Sequence, residues 1–324
     1  MVSARTRTTL VVAALALIVG SAVAGITAAS SSEPVGVAAE GPKLRAGNPP
    51  LSLDLGLRAD REAVDLREAL RLYEAGNTVE AGARFSRHSS LEARIGRAVS
   101  SWPEDTVARL TELSGLHPKS AAVQLNLGIA RYWAGEAGVE EAWQSAAELE
   151  PDTAYAVTAG NLLHPEFARN LPLFVPVETV PAAVRKLDPP AQFAALERRA
   201  RNGSVADRLF YGVALQRLGR QRSARRAFAD AVRLDRTNPE ARVAAAVALF
   251  DKSRPVAAFS QLGPLSRTFP EAATVRFHLG LLLLWSGQVK EARRQLQLVA
   301  KVEPDSRLVG IARQYLDQLR AAKI

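Results

Sequence analysis

Four histidines, His88, His117, His164 and His278, are the side chains best suited to moving protons near neutral pH, and each stands alone in the sequence. None shares a helical turn with a glutamate and a second histidine, the spacing that would hold zinc beside a general base. His117 and His164 each precede a proline, Pro118 and Pro165, a setting that belongs to helix ends. There is no glycine-flanked nucleophilic serine and no glycine loop to cradle phosphate. Cysteine is absent, which removes disulfides, thiolate metal sites, a thiol nucleophile and lipoprotein acylation. The sequence therefore predicts no catalytic residue, no metal site and no cofactor, so the chemistry left to it is binding.

Two kinds of surface offer that chemistry. Between residues 198 and 236 stand eleven arginines and three aspartates, a net +8 of the chain's formal +9. Arg222, Arg226 and Arg233 share one side of a helix whose other side carries Ala224, Phe228 and Ala231. Such a basic face attracts an anionic lipid surface, an acidic polymer or an acidic protein, or it is simply the solvated side of an arginine-rich helix. The second surface is apolar. Leu125, Ile129 and Tyr132 recur at i, i+4 and i+7, as do Leu209, Val213 and Gln216; Val243, Val247 and Phe250; and Phe277, Leu281 and Leu284. Trp133 and Trp285 occupy equivalent places beside these stripes. A stripe of this kind either packs against the next element or stays open for a partner.

The elements that must carry these residues are helices. Aromatics make up only 6% of the 324 residues, and alanine is abundant, which suits closely approaching helices better than a sheet. A period of 34 residues then organises them. Gly212, Ala246 and Gly280 keep that spacing, and so do Ala224, Ala258 and Ala292; Leu215, Leu249 and Leu283; Phe228, Leu262 and Leu296; and the turn residues Gly219, Ser253 and Gly287. Pro270 and Pro304 close two of the units, while the first has its proline three residues late, at Pro239. A small residue in the first helix admits the second, and one hairpin cannot cover its own apolar side, so identical hairpins stack.

On these columns the chain resembles the tetratricopeptide repeat family. Clear copies are expected over residues 205–238, 239–272 and 273–306, with a capping helix over 307–322. Leu127, Gly128, Gly135, Trp143, Ala146 and Pro151 fit a fourth copy with one extra residue in its turn. Ile95, Leu110, Leu113 and Pro118 fit a fifth, with Pro103 in the first turn of its second helix, and Gly76, Ala81 and Phe85 suggest a leading hairpin. Over 153–203 the period breaks, and one hairpin with a long inserted loop is expected. The resemblance implies a concave groove along the first helices that holds a peptide, lined by the apolar stripes above. Members that clamp a peptide's terminal carboxylate use lysine and asparagine in that groove. The stripe positions here are Leu, Ile and Val, so that activity is not implied.

The inserted loop holds residues 171–177, apolar and interrupted by Pro172 and Pro176, which cannot continue a helix. The sequence predicts an extended path along the concave side, an internal pseudo-ligand anchored by Phe174.

At the other end, Arg5 and Arg7 precede an apolar run over 10–29 with no charge until Glu33. About 20 helical residues span a bilayer core of roughly 30 Å. Residues 1–30 are thus read as a membrane anchor, basic end cytoplasmic and the remainder extracytoplasmic, or as a signal peptide cleaved after Ala24. Residues 31–57, rich in serine and proline, are expected to be a flexible tether to the repeat domain over 58–324. The whole is read as an all-α chain, an α-solenoid of tetratricopeptide-like hairpins with one N-terminal transmembrane helix. It is a scaffold for a protein or peptide partner and not an enzyme. Nucleic acid is not expected in that compartment, and an anionic lipid or polymer is the alternative ligand.

Overall fold

The computed structural model describes residues 45–321. The expected anchor or signal peptide lies outside them, as does the tether before residue 45. Among the described residues no helix is long and apolar enough to cross a membrane. They are all-helical, without a strand, and fall into two compact units, residues 45–163 and 164–321.

The first unit contains α1 (Arg61–Glu74), α2 (Thr78–Phe85), α3 (Leu91–Ser100), α4 (Thr106–Leu116), α5 (Ala121–Ala134), α6 (Val139–Leu149) and α7 (Ala154–Leu163). The second contains α8 (Ala182–Arg185), α9 (Pro189–Asn202), α10 (Val205–Arg217), α11 (Gln221–Leu234), α12 (Pro239–Val247), α13 (Val256–Thr268), α14 (Ala273–Trp285), α15 (Val289–Val302) and α16 (Arg307–Ala321). In both units successive helices pair as antiparallel-type hairpins, α5 with α6, α10 with α11 and α14 with α15 most extensively. These are the stacked hairpins of a tetratricopeptide-like array. The first unit has one apolar core, and the second has a main core with a smaller cluster around Leu196 and Phe210. The stretch 153–203, expected as one hairpin, is divided between the units, with α7 in one and α9 in the other.

Local sequence explains the helix starts. Asp60 accepts the Ala63 N–H at 3.0 Å, and Ser204 and Asp207 form a reciprocal capping box at α10. Asn238 caps α12 and Pro239 fills its first position, where a missing N–H does no harm. That is why the first clear repeat carries its proline late. Longer-range caps close individual hairpins, joining the end of the second helix to the start of the first: Glu150 accepts the Ala121 N–H at 2.7 Å and Glu303 the Ala273 N–H at 3.1 Å.

The glycine column makes room for large side chains of the second helix as well as for its small ones. A Cβ on Gly212 would collide with the Phe228 ring, and one on Gly128 would stand 2.5 Å from Trp143. The glycine seats the large side chain of the second helix, and the alanines lie buried beside it. Trp143 takes over Gly128 the place that Phe228 takes over Gly212, but fifteen residues on instead of sixteen. The turn of that copy has the extra residue expected, four residues at 135–138 against three at 218–220, so Trp143 reaches the glycine from nearer the start of its helix. Pro103, expected in the first turn of its helix, lies outside it, in the connection before α4. In the middle repeat α12 stops at Val247, and the Asp251 carboxylate accepts the Ser253 N–H at 2.9 Å. Phe250 therefore lies beyond the helix and not on the helical stripe.

Candidate functional site

Pro172 and Pro176 have no N–H, so residues 171–177 can enter neither a helix nor a complete ladder, and their remaining N–H groups need acceptors on side chains. The second unit supplies them. Phe174 N donates to Gln216 Oε1 at 3.0 Å, Val175 N to His278 Nε2 at 2.9 Å and Val177 N to Glu240 Oε1 at 2.7 Å, while Arg307 Nη1 donates to the Pro176 carbonyl at 2.9 Å. Those four side chains come from α10, α14, α12 and α16, which are the first helices of three consecutive repeats and the capping helix. Phe174 is 1% exposed, stacked on His278 with ring centres 4.8 Å apart and edge-on to Phe228. The extended path and the Phe174 anchor are as the sequence predicts.

His278 is set up as an acceptor. Its Nδ1 lies 2.7 Å from the Thr274 carbonyl, which assigns the ring proton to Nδ1 and leaves the Nε2 lone pair for Val175. Burial pushes its pKa down to about 4, against the opposing pull of the Thr274 carbonyl. Burial raises the pKa of the Glu240 carboxyl, only partly offset by the Val177 N–H, and Glu178 and Glu303 add to the rise. Where the segment enters, Phe167 meets Phe250 edge-on, and burial beneath it brings Lys252 down to about 7, with Glu166 opposing.

The first unit holds extended chain in the same manner. Asn126 reads both sides of one residue: its Oδ1 accepts the Ser52 N–H at 3.0 Å and its Nδ2 donates to the Ser52 carbonyl at 2.8 Å. Asp54 N donates to the Tyr155 hydroxyl at 2.8 Å, the Tyr73 hydroxyl to the Pro49 carbonyl at 2.6 Å and Arg45 N to the Trp133 carbonyl at 3.0 Å. The Arg45 guanidinium lies 3.7 Å above the Tyr132 ring. Leu51 and Leu55 are buried in the core of that unit, with Leu53 packed beside them. Residues 45–57, expected to be flexible tether, are thus docked chain; alternating leucines supply apolar surface that serine and proline content alone conceals. Asn126 stands two residues before Gly128 and His278 two before Gly280, so one column of the hairpin supplies the backbone acceptor in both units.

The predicted groove side chains all lie on this first-helix face or in its turn, but the face is closed. Leu125, Ile129, Leu209, Val213, Gln216, Val243, Val247, Phe250, Phe277, Leu281, Leu284 and Trp285 are buried, and Tyr132 is half-buried. Sequence reasoning missed the polar members that do the holding: Asn126, His278, Glu240, Arg307, Tyr73 and Tyr155. For Asn126 and His278 the available signal was a polar residue flanked by apolar ones two positions before the repeat glycine.

Arg222, Arg226 and Arg233 are exposed together on α11, as expected, with Arg226 bonded to Ser223 at 2.8 Å and Arg233 paired with Asp230. Much of the surrounding arginine is structural. Arg199 pairs with Asp207 at 2.6 Å, Arg208 and Arg225 donate to the carbonyls of Gly203 and Ala248, and burial pushes the Arg217 pKa down to about 10. Among the described residues no three His, Asp or Glu side chains converge as a metal site. What these residues do chemically is recognise backbone.

No protein-family model matches the sequence, and no curated protein matches it. Among solved structures, the crystal structure of the APC/C hetero-tetramer Cut9-Hcn1 matches at 14% identity and a TM-score of 0.27, over 80% of this chain and 55% of that one. A superposition so loose carries no functional argument.

Proposed function

We propose that the chain is a non-catalytic scaffold that grips an extended segment of a partner protein on the first-helix face of its repeats. It is held at a membrane by its N-terminus, with the repeats on the extracytoplasmic side, and serves assembly in a cell envelope. The observation that carries the reading is the hold on residues 171–177, in which three successive first helices and the cap each give one side chain to the backbone of an extended strand. A face able to hold its own chain this way has the chemistry to hold another. The address rests on Arg5, Arg7 and the apolar run over 10–29. The alternative, an adaptor whose arginine face sits on an anionic polymer or membrane, loses motive from the arginines already engaged within the fold.

A photo-crosslinking residue in place of Tyr132, at the edge of the face, should capture a protein in living cells, and one in place of Arg222 should not. Capture from Arg222 alone, abolished by high salt, would favour the adaptor instead.

A further inference from the structure

The two docked segments differ in depth. In residues 171–177, Pro172, Phe174, Val175 and Pro176 are all buried, and Phe167 and Ala168 before them and Val184 after them belong to the unit's apolar clusters. That strand is part of the core on both sides. In residues 45–57 only Pro49, Leu51 and Leu55 are buried, the leucines keeping 8% and 7% exposure, while Ser52, Leu53 and Asp54 are half-exposed. Its side-chain grip on backbone comes mainly from one amide, Asn126, and two tyrosine hydroxyls, with one charged group, the Arg67 guanidinium, donating to the Gly56 carbonyl at 3.3 Å near its end.

We propose that residues 45–57 are a releasable occupant: the first-helix face of the first unit opens to a partner by exchanging them, whereas the face of the second unit stays filled. This rests on the scaffold reading and names which face works and what it takes. The partner is an extended segment with a leucine-like residue at every second position, as in Leu51, Leu53 and Leu55, because alternate side chains of an extended chain point the same way. The residue between two of these is read through its backbone by Asn126, which accepts its N–H and donates to its carbonyl, so its side chain is free to vary. The resident occupant lowers the apparent affinity for any such partner by the fraction of time it leaves the face open.

The test uses the full-length protein and a fluorescent peptide with the sequence of residues 48–57. Leu51→Ser combined with Leu55→Ser, which weakens the resident strand, should bind the peptide about tenfold or more tightly than wild type does. Adding Asn126→Ala should remove that gain, and a peptide carrying the same two serines should not bind. Equal peptide affinity in wild type and the double variant overturns the proposal. Hydrogen exchange on the wild type decides independently of whether the variants fold. The Ser52 and Asp54 amides should exchange faster than those of Phe174 and Val175, and faster still with excess peptide. Equal protection at all four, unmoved by peptide, also overturns it. If the Tyr132 crosslinker captures a partner while Ser52 stays protected, release is wrong and the scaffold reading stands; if it captures nothing, the scaffold reading itself fails.

Discussion

His278 can accept the Val175 N–H only while its ring is neutral. Unfolded, an imidazole takes a proton near its ordinary 6.5, but in the fold it resists protonation down to about 4. Between those values the unfolded chain binds more protons, so this contribution is complete above about pH 6.5 and is lost as pH falls toward 4, by on the order of 3 kcal/mol. Glu240, its carboxyl raised by burial, works in the opposite sense as pH falls. The measurement is therefore a comparison: denaturant unfolding from pH 4 to 7 should show a flatter profile for His278→Gln than for wild type, and parallel profiles would deny His278 that role. Phe174, packed between His278 and Phe228, should cost about 3–5 kcal/mol when cut to alanine, with increased binding of an apolar dye to the exposed face. A loss below 1 kcal/mol would mean that the strand is not anchored there.

Among elements, the hairpin register can be tested at Ala258, fully buried on α13. Ala258→Phe should overpack the hairpin and cost about 1–3 kcal/mol by thermal or chemical unfolding, whereas Arg222→Phe on the exposed face should change stability by under about 0.5 kcal/mol. This register was legible because periodicity reports which residues are buried: the buried Leu308, Ile311, Ala312, Tyr315, Leu316 and Leu319 of α16 are those its spacing predicts. What periodicity does not encode is where each element ends. α12 stops four residues short of its counterpart α10, and the turn before α6 carries one residue more than the turn before α11, so Phe250 left its stripe. The docked strands were legible unequally. Proline within an apolar run marked residues 171–177, whereas residues 45–57 carried prolines and serines that read as linker. Their leucines make sense only once Asn126 and Tyr155 supply partners over 70 residues away in sequence.

At the scale of the molecule, two units each complete their own core with a strand that belongs to no repeat. A repeat array exposes the inner side of its first helices, and a monomer without a partner must cover that apolar surface or risk association. Self-filling gives this chain a stable resting state with no partner present. The address is checked by fusing reporters after Ile324: one that works only outside the cytoplasm should be active, and activity of a strictly cytoplasmic reporter alone would overturn the proposed topology.

Docking of residues 45–57 also has a mechanical side. They lie between the N-terminal apolar run and α1, so under the proposed membrane address the same thirteen residues that fill the first-helix face would take up slack between the bilayer and the repeats. Fully extended, thirteen residues reach roughly 40 Å, and as a relaxed coil they average about 20 Å. A partner that takes their place would lengthen the leash by that much and let the repeats survey a deeper layer above the bilayer. A pull on the leash, conversely, would peel Ser52 from Asn126 and open the face. Occupancy and reach would then be two readings of one equilibrium, and force applied from the N-terminus would act on it as a ligand does.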